Sequence, residues 1–351
     1  MSLNLSKEEY KKAEEYRAWI ETRLPIGKEL LYLTQEDVRS IPISPEEILE
    51  LTEKSLAAYS RKNADMPAKI GIHPLPGTFY HAMPAYAPEA FAAGIKWGSC
   101  YPENQKKYGY PQAEGLILFN DHLSGIPIAI LDCIYVTEIR TAAVTYASIK
   151  KLASSDAKTF GMIGCGVEGR QHVKNIEKVL PSLKEIYVYD ISKDAENCLI
   201  QELQGEVGAV IKKADSLETL VRNSEVIASA TIITEQPEPK IKDEWITSGK
   251  TILLCDCHSL YEDKTVKRAD KYLVDSIEQH ELLKGYGYYP YGLPEIYAET
   301  GEVVGGEKQG RVTKDELIVC NNVGMAIEDM YVVRDLFDKA LENGIGRKLP
   351  L

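Results

Sequence analysis

Gly164-Cys165-Gly166-Val167-Glu168-Gly169 has the spacing G-x-G-x-x-G, directly after the apolar run TFGMI and at the head of a helical pattern. That placement is what dinucleotide binding requires. The first glycine permits a tight turn, the second lets a pyrophosphate approach the backbone, and the third lets helix and strand pack closely. Val167 and Glu168 then lie at a helix N-terminus, whose N–H groups and positive dipole end attract phosphate. A second apolar run ends at Asp190, about 20 residues further on, where an acid accepts from ribose hydroxyls and repels a 2′-phosphate. The pattern implies NAD in preference to NADP, with Lys193 as the one nearby cation that argues the other way.

A nucleotide turn needs a substrate pocket elsewhere, and the residues before it offer Lys69, Lys96, Gln112, Glu114 and Arg140. Lys96 stands inside the otherwise apolar run GIKWG. A lysine there either snorkels to the surface or is held for a purpose, and desolvation tunes an amine toward acid–base work. Arg140, with Thr141, opens a helical segment from which a guanidinium can fork onto a carboxylate or pair with a surface Glu. Other polar residues have simpler readings. His73, His81 and His258 have no partner at ligand spacing and read as surface or hydrogen-bonded histidines. Cys255, Cys257 and His258 lack the further ligands zinc needs, so no metal is expected and the thiols read as alternating side chains at a strand end. Tyr286, Tyr288, Tyr289 and Tyr291 read as a packed surface loop, or alternatively a lid over the cofactor. Asn321 and Asn322 read as caps of the closing helix, with a nicotinamide contact from Asn322 as the alternative.

These residues need elements to hold them. Residues 7–22 are helical in pattern, 29–33 form a short strand, and Ser44-Pro45-Glu46-Glu47 starts a helix through a capping box. From 66 to 136 short alternating runs (93–98, 115–119, 127–131) imply a mixed or antiparallel sheet, with 121–125 as a hairpin connection. After about residue 138 the text alternates strand and helix. Helices are expected at 140–152 and 168–180, and strands at 159–163, 185–189, 209–211, 226–230, 251–254 and 272–274, which is a parallel α/β sheet. A closing helix spans 323–342. The chain carries 53 acidic residues against 41 basic ones, a formal charge of −12, so nucleic acid is not an expected partner. No apolar run approaches the ~18 residues of a membrane helix. Dispersed cysteines and a charged, helical first segment (residues 1–20) imply reduced thiols and a cytoplasmic location.

The stretches MPAYAPEAFAAGIKWGSCYPEN, GYPQAEGLILFND, TEIRTAAVTYASIKKLA and GMIGCGVEGRQHV, with Asp256 and the late VGMAIEDM, resemble the ornithine cyclodeaminase/mu-crystallin family over residues 65–335. The resemblance implies an α/β fold. A Rossmann dinucleotide-binding domain (141–324) joins an α+β substrate and dimerisation domain, formed from 1–140 and the C-terminal helix (325–351). It implies a homodimer that acts with NAD(P) at the Cα–N bond of an amino acid or imine. Carried over by position, Lys96 and Asp256 become catalytic, Lys69 and Arg140 grip the substrate carboxylate, and Gln112 lines the substrate site. Thr141, Thr231 and Asn322 join the glycine turn and Asp190 as cofactor contacts. Gln112 stands where the cyclodeaminases carry Thr, and Cys257-His258-Ser259-Leu260 replaces their Pro-Gly-Lys run. Both departures favour an amino-acid dehydrogenase or imine reductase over a cyclodeaminase, with a non-catalytic dinucleotide binder as the third reading.

Overall fold

The computed structural model describes residues 5–233 and 238–351. In chain order it runs α1 (Lys7–Glu21), β1 (Glu29–Leu33), α2 (Gln35–Ser40), α3 (Pro45–Ser60), β2 (Ile70–Ile72), β3 (Phe79–Ala87), β4 (Ala92–Cys100), α4 (Asn104–Tyr108), β5 (Ala113–Asn120), β6 (Pro127–Asp132) and α5 (Ile134–Leu152). There follow β7 (Thr159–Ile163), α6 (Val167–Lys174), β8 (Glu185–Tyr189), α7 (Lys193–Leu203), β9 (Val210–Lys213), α8 (Leu217–Asn223), β10 (Val226–Ser229) and β11 (Thr251–Leu254). The last elements are α9 (Asp263–Lys267), β12 (Lys271–Val274), α10 (Ile277–Gly285), β13 (Ala298–Glu299), α11 (Thr300–Val304), β14 (Ile318–Asn321), α12 (Ala326–Asn343) and β15 (Arg347–Pro350). Two compact units result, Met1–Arg140 with Met325–Leu351, and Thr141–Gly324.

The first unit is built on a mixed sheet in the order β15-β1-β6-β5-β4-β3-β2, antiparallel from β2 to β6. The sequence of β3, FYHAMPAYA, alternates, and from His81 onward every second residue is buried. Period-two alternation puts those side chains on one face. The closing helix covers that face, since α12 packs on β3 and β4 and against α3. Its Met330, Leu336 and Phe337 are fully buried, and Phe337 meets Phe119 of β5 edge-on at 5.4 Å. Each such side chain contributes about 1.5–3 kcal/mol of hydrophobic stabilisation. The start of α3 is as the sequence predicts, with the Ser44 side chain accepting from Glu47 N–H and Glu47 closing the box.

The second unit carries a parallel sheet in the order β13-β12-β14-β11-β10-β7-β8-β9. Strands β10, β11, β12 and β14 are buried at every residue, as expected of a parallel sheet covered on both faces. No helix among the described residues is long and apolar enough to cross a membrane.

Several expectations change. The sequence reading omits β14, four residues long, although it lies centrally between β11 and β12. Its last residue is Asn321, so the asparagines end a strand. Asn322 does not cap the closing helix but accepts from Thr300 Oγ1 (2.7 Å) and donates to Ser148 Oγ (3.1 Å). That helix starts at Ala326, and Glu328 accepts the N–H of Met325. The helix expected at 168–180 ends at Lys174 and continues as a single 3₁₀ turn, Ile176–Lys178. Cys255 and Cys257 are not alternating strand residues, because β11 stops at Leu254 and Cys257 and His258 have φ of 54° and 49°. The tyrosine segment is not a surface loop throughout. Tyr288 and Tyr289 are buried with Cys257 and Leu283, whereas Tyr291 is exposed.

Candidate active site

In the first unit, β4 presents Lys96 on the face covered by α12, in register with Met83 of β3 and Ile117 of β5. Its side chain does not snorkel. Lys96 is 5% exposed, and its ammonium lies 2.6 Å from Asp329 Oδ2 and 3.4 Å from Thr137 Oγ1. The Thr137 hydroxyl donates to Cys133 O (2.8 Å), so its oxygen is left to accept from the ammonium. Arg140, also 5% exposed, gives Nη1 to Glu328 (2.9 Å) and Nε to Asp329 (3.2 Å). Glu328 and Asp329 are both fully buried. Burying such charges is tolerable only when they are paired and hydrogen-bonded, so the four groups fix one another's geometry.

Arg140 forks onto carboxylates of the chain itself. Two edges of its guanidinium are occupied by carboxylates of α12, which makes it the brace of the Lys96–Asp329 pair. The acidic pair itself was missed by sequence reasoning. Its signal was two adjacent carboxylates inside the otherwise apolar run VGMAIEDMYVV. Lys69, immediately before β2, is also buried at 6% exposure, so the lysines at 69 and 96 both face inward. Their charges reach His81. Burial first, then Lys69, His73 and Lys96, pull its imidazole down to about 2. His81 is thus neither a surface nor a hydrogen-bonded histidine. It stacks on Phe79 at 4.0 Å, and its Nε2 is buried without a hydrogen-bond partner. His73, by contrast, is exposed.

Gln112 is not brought to this cluster. It is exposed, with Nε2 3.6 Å from Cys100 Sγ, and Cys100 lies four residues beyond Lys96 on β4, about 13 Å along an extended strand. Glu114 is likewise exposed, its carboxyl raised by partial burial and then by Asp132.

In the second unit the turn between β7 and α6 has the expected construction. Gly164 has φ 95°, which favours glycine, and a Cβ there would stand 2.5 Å from Ala230 O. A Cβ on Gly169 would collide with Gly164 O, whereas at Gly166 it would meet nothing within 4 Å. Gly166 is the N-cap of α6, and no side chain caps it. An open, uncapped helix N-terminus beginning with Val167 and Glu168 is a cradle that suits a pyrophosphate. Asp190 follows β8, its carboxylate accepting from Cys165 N (2.7 Å) and Ser192 N (2.8 Å). The ammonium of Lys193 is 2.8 Å from Glu196 Oε1 and lies over the Tyr189 ring at 5.0 Å. These residues fit the adenosine and phosphate parts of a dinucleotide.

Asp256 is fully buried, and its carboxylate accepts from Ser229 Oγ (2.9 Å), Thr231 Oγ1 (2.7 Å) and Thr231 N (3.2 Å). Burial raises its pKa, against the pull of these bonds. Both oxygens are committed within the unit, so the geometry makes Asp256 a positioning residue for Thr231. The threonine methyl would lie 3.6 Å from a Cβ at Gly164, at the edge of the glycine turn. Thr141 is half-buried in α5, and Asn322 is held by Thr300 and Ser148. Among the described residues no group of His, Cys, Asp or Glu is arranged to hold a metal.

A profile of the ornithine cyclodeaminase/mu-crystallin family matches residues 28–344 of the chain. The chain belongs to the ornithine cyclodeaminase/mu-crystallin family. Within that family it is 29% identical over 331 residues to the alanine dehydrogenase of Archaeoglobus fulgidus, covering 92% of this chain and 98% of that one. Its fold matches Δ1-pyrroline-2-carboxylate reductase of Thermococcus litoralis in complex with NADH and L-proline. The TM-score is 0.81 at 30% identity, over 91% of this chain and 99% of that one. An archaeal alanine dehydrogenase dimer with bound NAD matches equally, at TM-score 0.81 and 28% identity over 92% and 99% of the two chains.

Proposed function

We propose that the protein is an NAD-dependent oxidoreductase acting on the Cα–N bond of an amino acid, interconverting amine and imine. The observation that carries this reading is the buried Lys96–Asp329 pair braced by Arg140, an ammonium held in one place by a carboxylate. Family membership and the open glycine cradle at Gly166 support the cofactor, and relatives crystallised with NAD or NADH and with L-proline support the substrate class. Bound NAD supplies the hydride acceptor for amine oxidation and, when reduced, the donor for imine reduction. Asp190, whose carboxylate stands at the glycine turn, favours NAD over NADP by repelling a 2′-phosphate.

The protein side of the reaction follows from the first unit. Lys69 binds the substrate α-carboxylate through a charge-assisted hydrogen bond, which contributes about 1.5–3 kcal/mol in a desolvated site. Lys96 delivers a proton to nitrogen as the imine is reduced and recovers it in the oxidative direction, a step typically worth ~10²–10⁴-fold in rate. Asp329 holds the ammonium in position, and Arg140 holds Asp329.

The same unit presents an uncovered face. Ile70, Ala82, Trp97 and Leu116 stand opposite one another across β2, β3, β4 and β5, on the side away from α12, and Ile70, Trp97 and Leu116 are 63%, 45% and 49% exposed. A row of large apolar side chains on one sheet face is a self-association surface, and a second copy of the chain is its occupant. One related structure is a dimer.

The test is a panel of amino acids with NAD, and of cyclic imines and keto acid plus amine with NADH, followed by the near-ultraviolet absorbance of the reduced cofactor. Net cofactor turnover is expected. Ammonia release with no net change in NADH would identify a cyclodeaminase instead. NADH binding with no turnover on the panel would identify a non-catalytic binder.

A further inference from the structure

Between β8 and α7 the chain makes a short turn, Asp190-Ile191-Ser192, and three hydrogen bonds hold it. Two end on the Asp190 carboxylate. Oδ2 accepts from Cys165 N of the glycine turn (2.7 Å) and Oδ1 from Ser192 N (2.8 Å), and each oxygen keeps a lone pair for a ribose hydroxyl. The third comes from behind. Glu196, one turn into α7, reaches back so that its Oε1 accepts the backbone N–H of Asp190 (3.0 Å). A backbone N–H removed from water needs an acceptor, and the ladder with β9 has already ended at Val188. A side chain therefore does the work of a strand.

The placement of Glu196 is costly. It is fully buried, whereas Lys193, Asp194 and Asn197 around it on α7 are exposed, so its carboxylate is turned in beneath the turn. Its Oε2 is buried without a hydrogen-bond partner, and Oε1 is shared between Asp190 N and the ammonium of Lys193 (2.8 Å). A buried carboxylate with one oxygen unused is unfavourable unless what it holds repays it. The charged groups that act on the Cys165 thiol at this corner are Asp190 and Glu196 on one side and Lys193 and Arg170 on the other. Arg170 gives Nη1 to Cys165 O (3.3 Å) and Nε to Glu202 (3.1 Å). With two acids set against two bases, net charge does not choose the cofactor. Position does, because the Asp190 carboxylate must stand where the ribose hydroxyls arrive.

We propose that Glu196 is a positioning residue for the dinucleotide, fixing through the Asp190 backbone the carboxylate that reads the ribose, so that cofactor choice depends on a buried side chain behind the site. This rests on the reading of Asp190 as the ribose acid.

The experiment is calorimetric titration of NAD and NADP into the wild type, Glu196→Gln, Glu196→Ala and Glu196→Asp, with folding checked by thermal melts. Glutamine and alanine both release Lys193, but only glutamine keeps an acceptor for Asp190 N–H, so the difference between them isolates that bond. Glu196→Ala should bind NAD ~10-fold more weakly while Glu196→Gln stays within ~3-fold of the wild type. NADP affinity should change by less than ~3-fold in both, because a displaced Asp190 also withdraws its repulsion of the 2′-phosphate. If Glu196→Ala does not fold, Glu196→Asp decides, since it keeps the charge and is one methylene too short to reach Asp190 N. A double-mutant cycle separates positioning from a general loosening of the fold: in an Asp190→Ala background, Glu196→Ala should leave the NADP-to-NAD affinity ratio within ~2-fold. Equal losses for both cofactors, or the same shift in ratio without Asp190, would overturn the inference and leave the reading of Asp190 standing. An Asp190→Ala variant with the wild-type ratio would overturn both and leave the chemistry at the Cα–N bond untouched.

Discussion

In the proposed reaction Lys96 is the residue on which the chemistry turns, and kinetics of a variant separate that role from a structural one for an ammonium buried beside Asp329. Lys96→Ala should lower kcat by ~10²–10⁴-fold. The NADH affinity, read by fluorescence titration, should remain close to wild type, because the glycine turn belongs to the other unit. A variant that retained kcat would remove the ammonium from the mechanism. Asp190 makes a second residue-scale prediction. Replacing it with Ala removes the repulsion of a 2′-phosphate but also leaves Cys165 N and Ser192 N without their acceptor. NAD binding should therefore weaken and the ratio of NADP to NAD affinity should rise ~10-fold. An unchanged ratio, measured by calorimetric titration of both cofactors, would show that Asp190 does not read the ribose. Lys96 and Asp190 were legible because each is an odd residue in a regular pattern. Glu328 and Asp329 were not, because nothing local says which distant cation an acidic pair will meet.

At the scale of elements, His172 ties the dinucleotide helix to its neighbour. Its Nδ1 donates to Glu168 O (2.7 Å) one turn back in α6, so Nε2 accepts from Thr145 Oγ1 of α5 (2.8 Å). Burial holds the imidazole neutral, with its pKa pulled down to about 4 from 6.5. The sign follows from proton binding: the unfolded chain takes up the proton first. The stabilisation is whole above pH 6.5 and is lost progressively as pH falls from there to 4, to a total on the order of 3 kcal/mol. Urea unfolding of the wild type should therefore weaken between pH 7 and 4.5 more than that of His172→Gln. Parallel losses would show that His172 does not carry this acid sensitivity. Several elements were read from short apolar runs and from a capping box. The strands 29–33, 159–163, 185–189 and 251–254 and the start of α3 stand where the pattern put them. The four residues of β14 were missed although β11, of the same length, was read, and what places β14 is its pairing with β11 and β12.

At the scale of the whole molecule, the bare sheet face of the first unit predicts association. Trp97→Glu combined with Leu116→Glu should convert a dimer to a monomer by light scattering, because two charges would replace apolar side chains at the centre of the face. A wild type that is monomeric at high concentration would leave that face without its proposed occupant. The sequence by itself determined the dinucleotide turn and the α/β alternation. Glycine spacing, a strand before it and an acid after it are all local, and backbone geometry acts over a few residues. It also marked Lys96 as a lysine out of place. Only the tertiary structure decided that Arg140 braces an acidic pair and that Asp256 is spent on Thr231. Those facts depend on strand register and on a helix more than 180 residues away in the chain, and long-range packing leaves no periodic trace in the residues it joins.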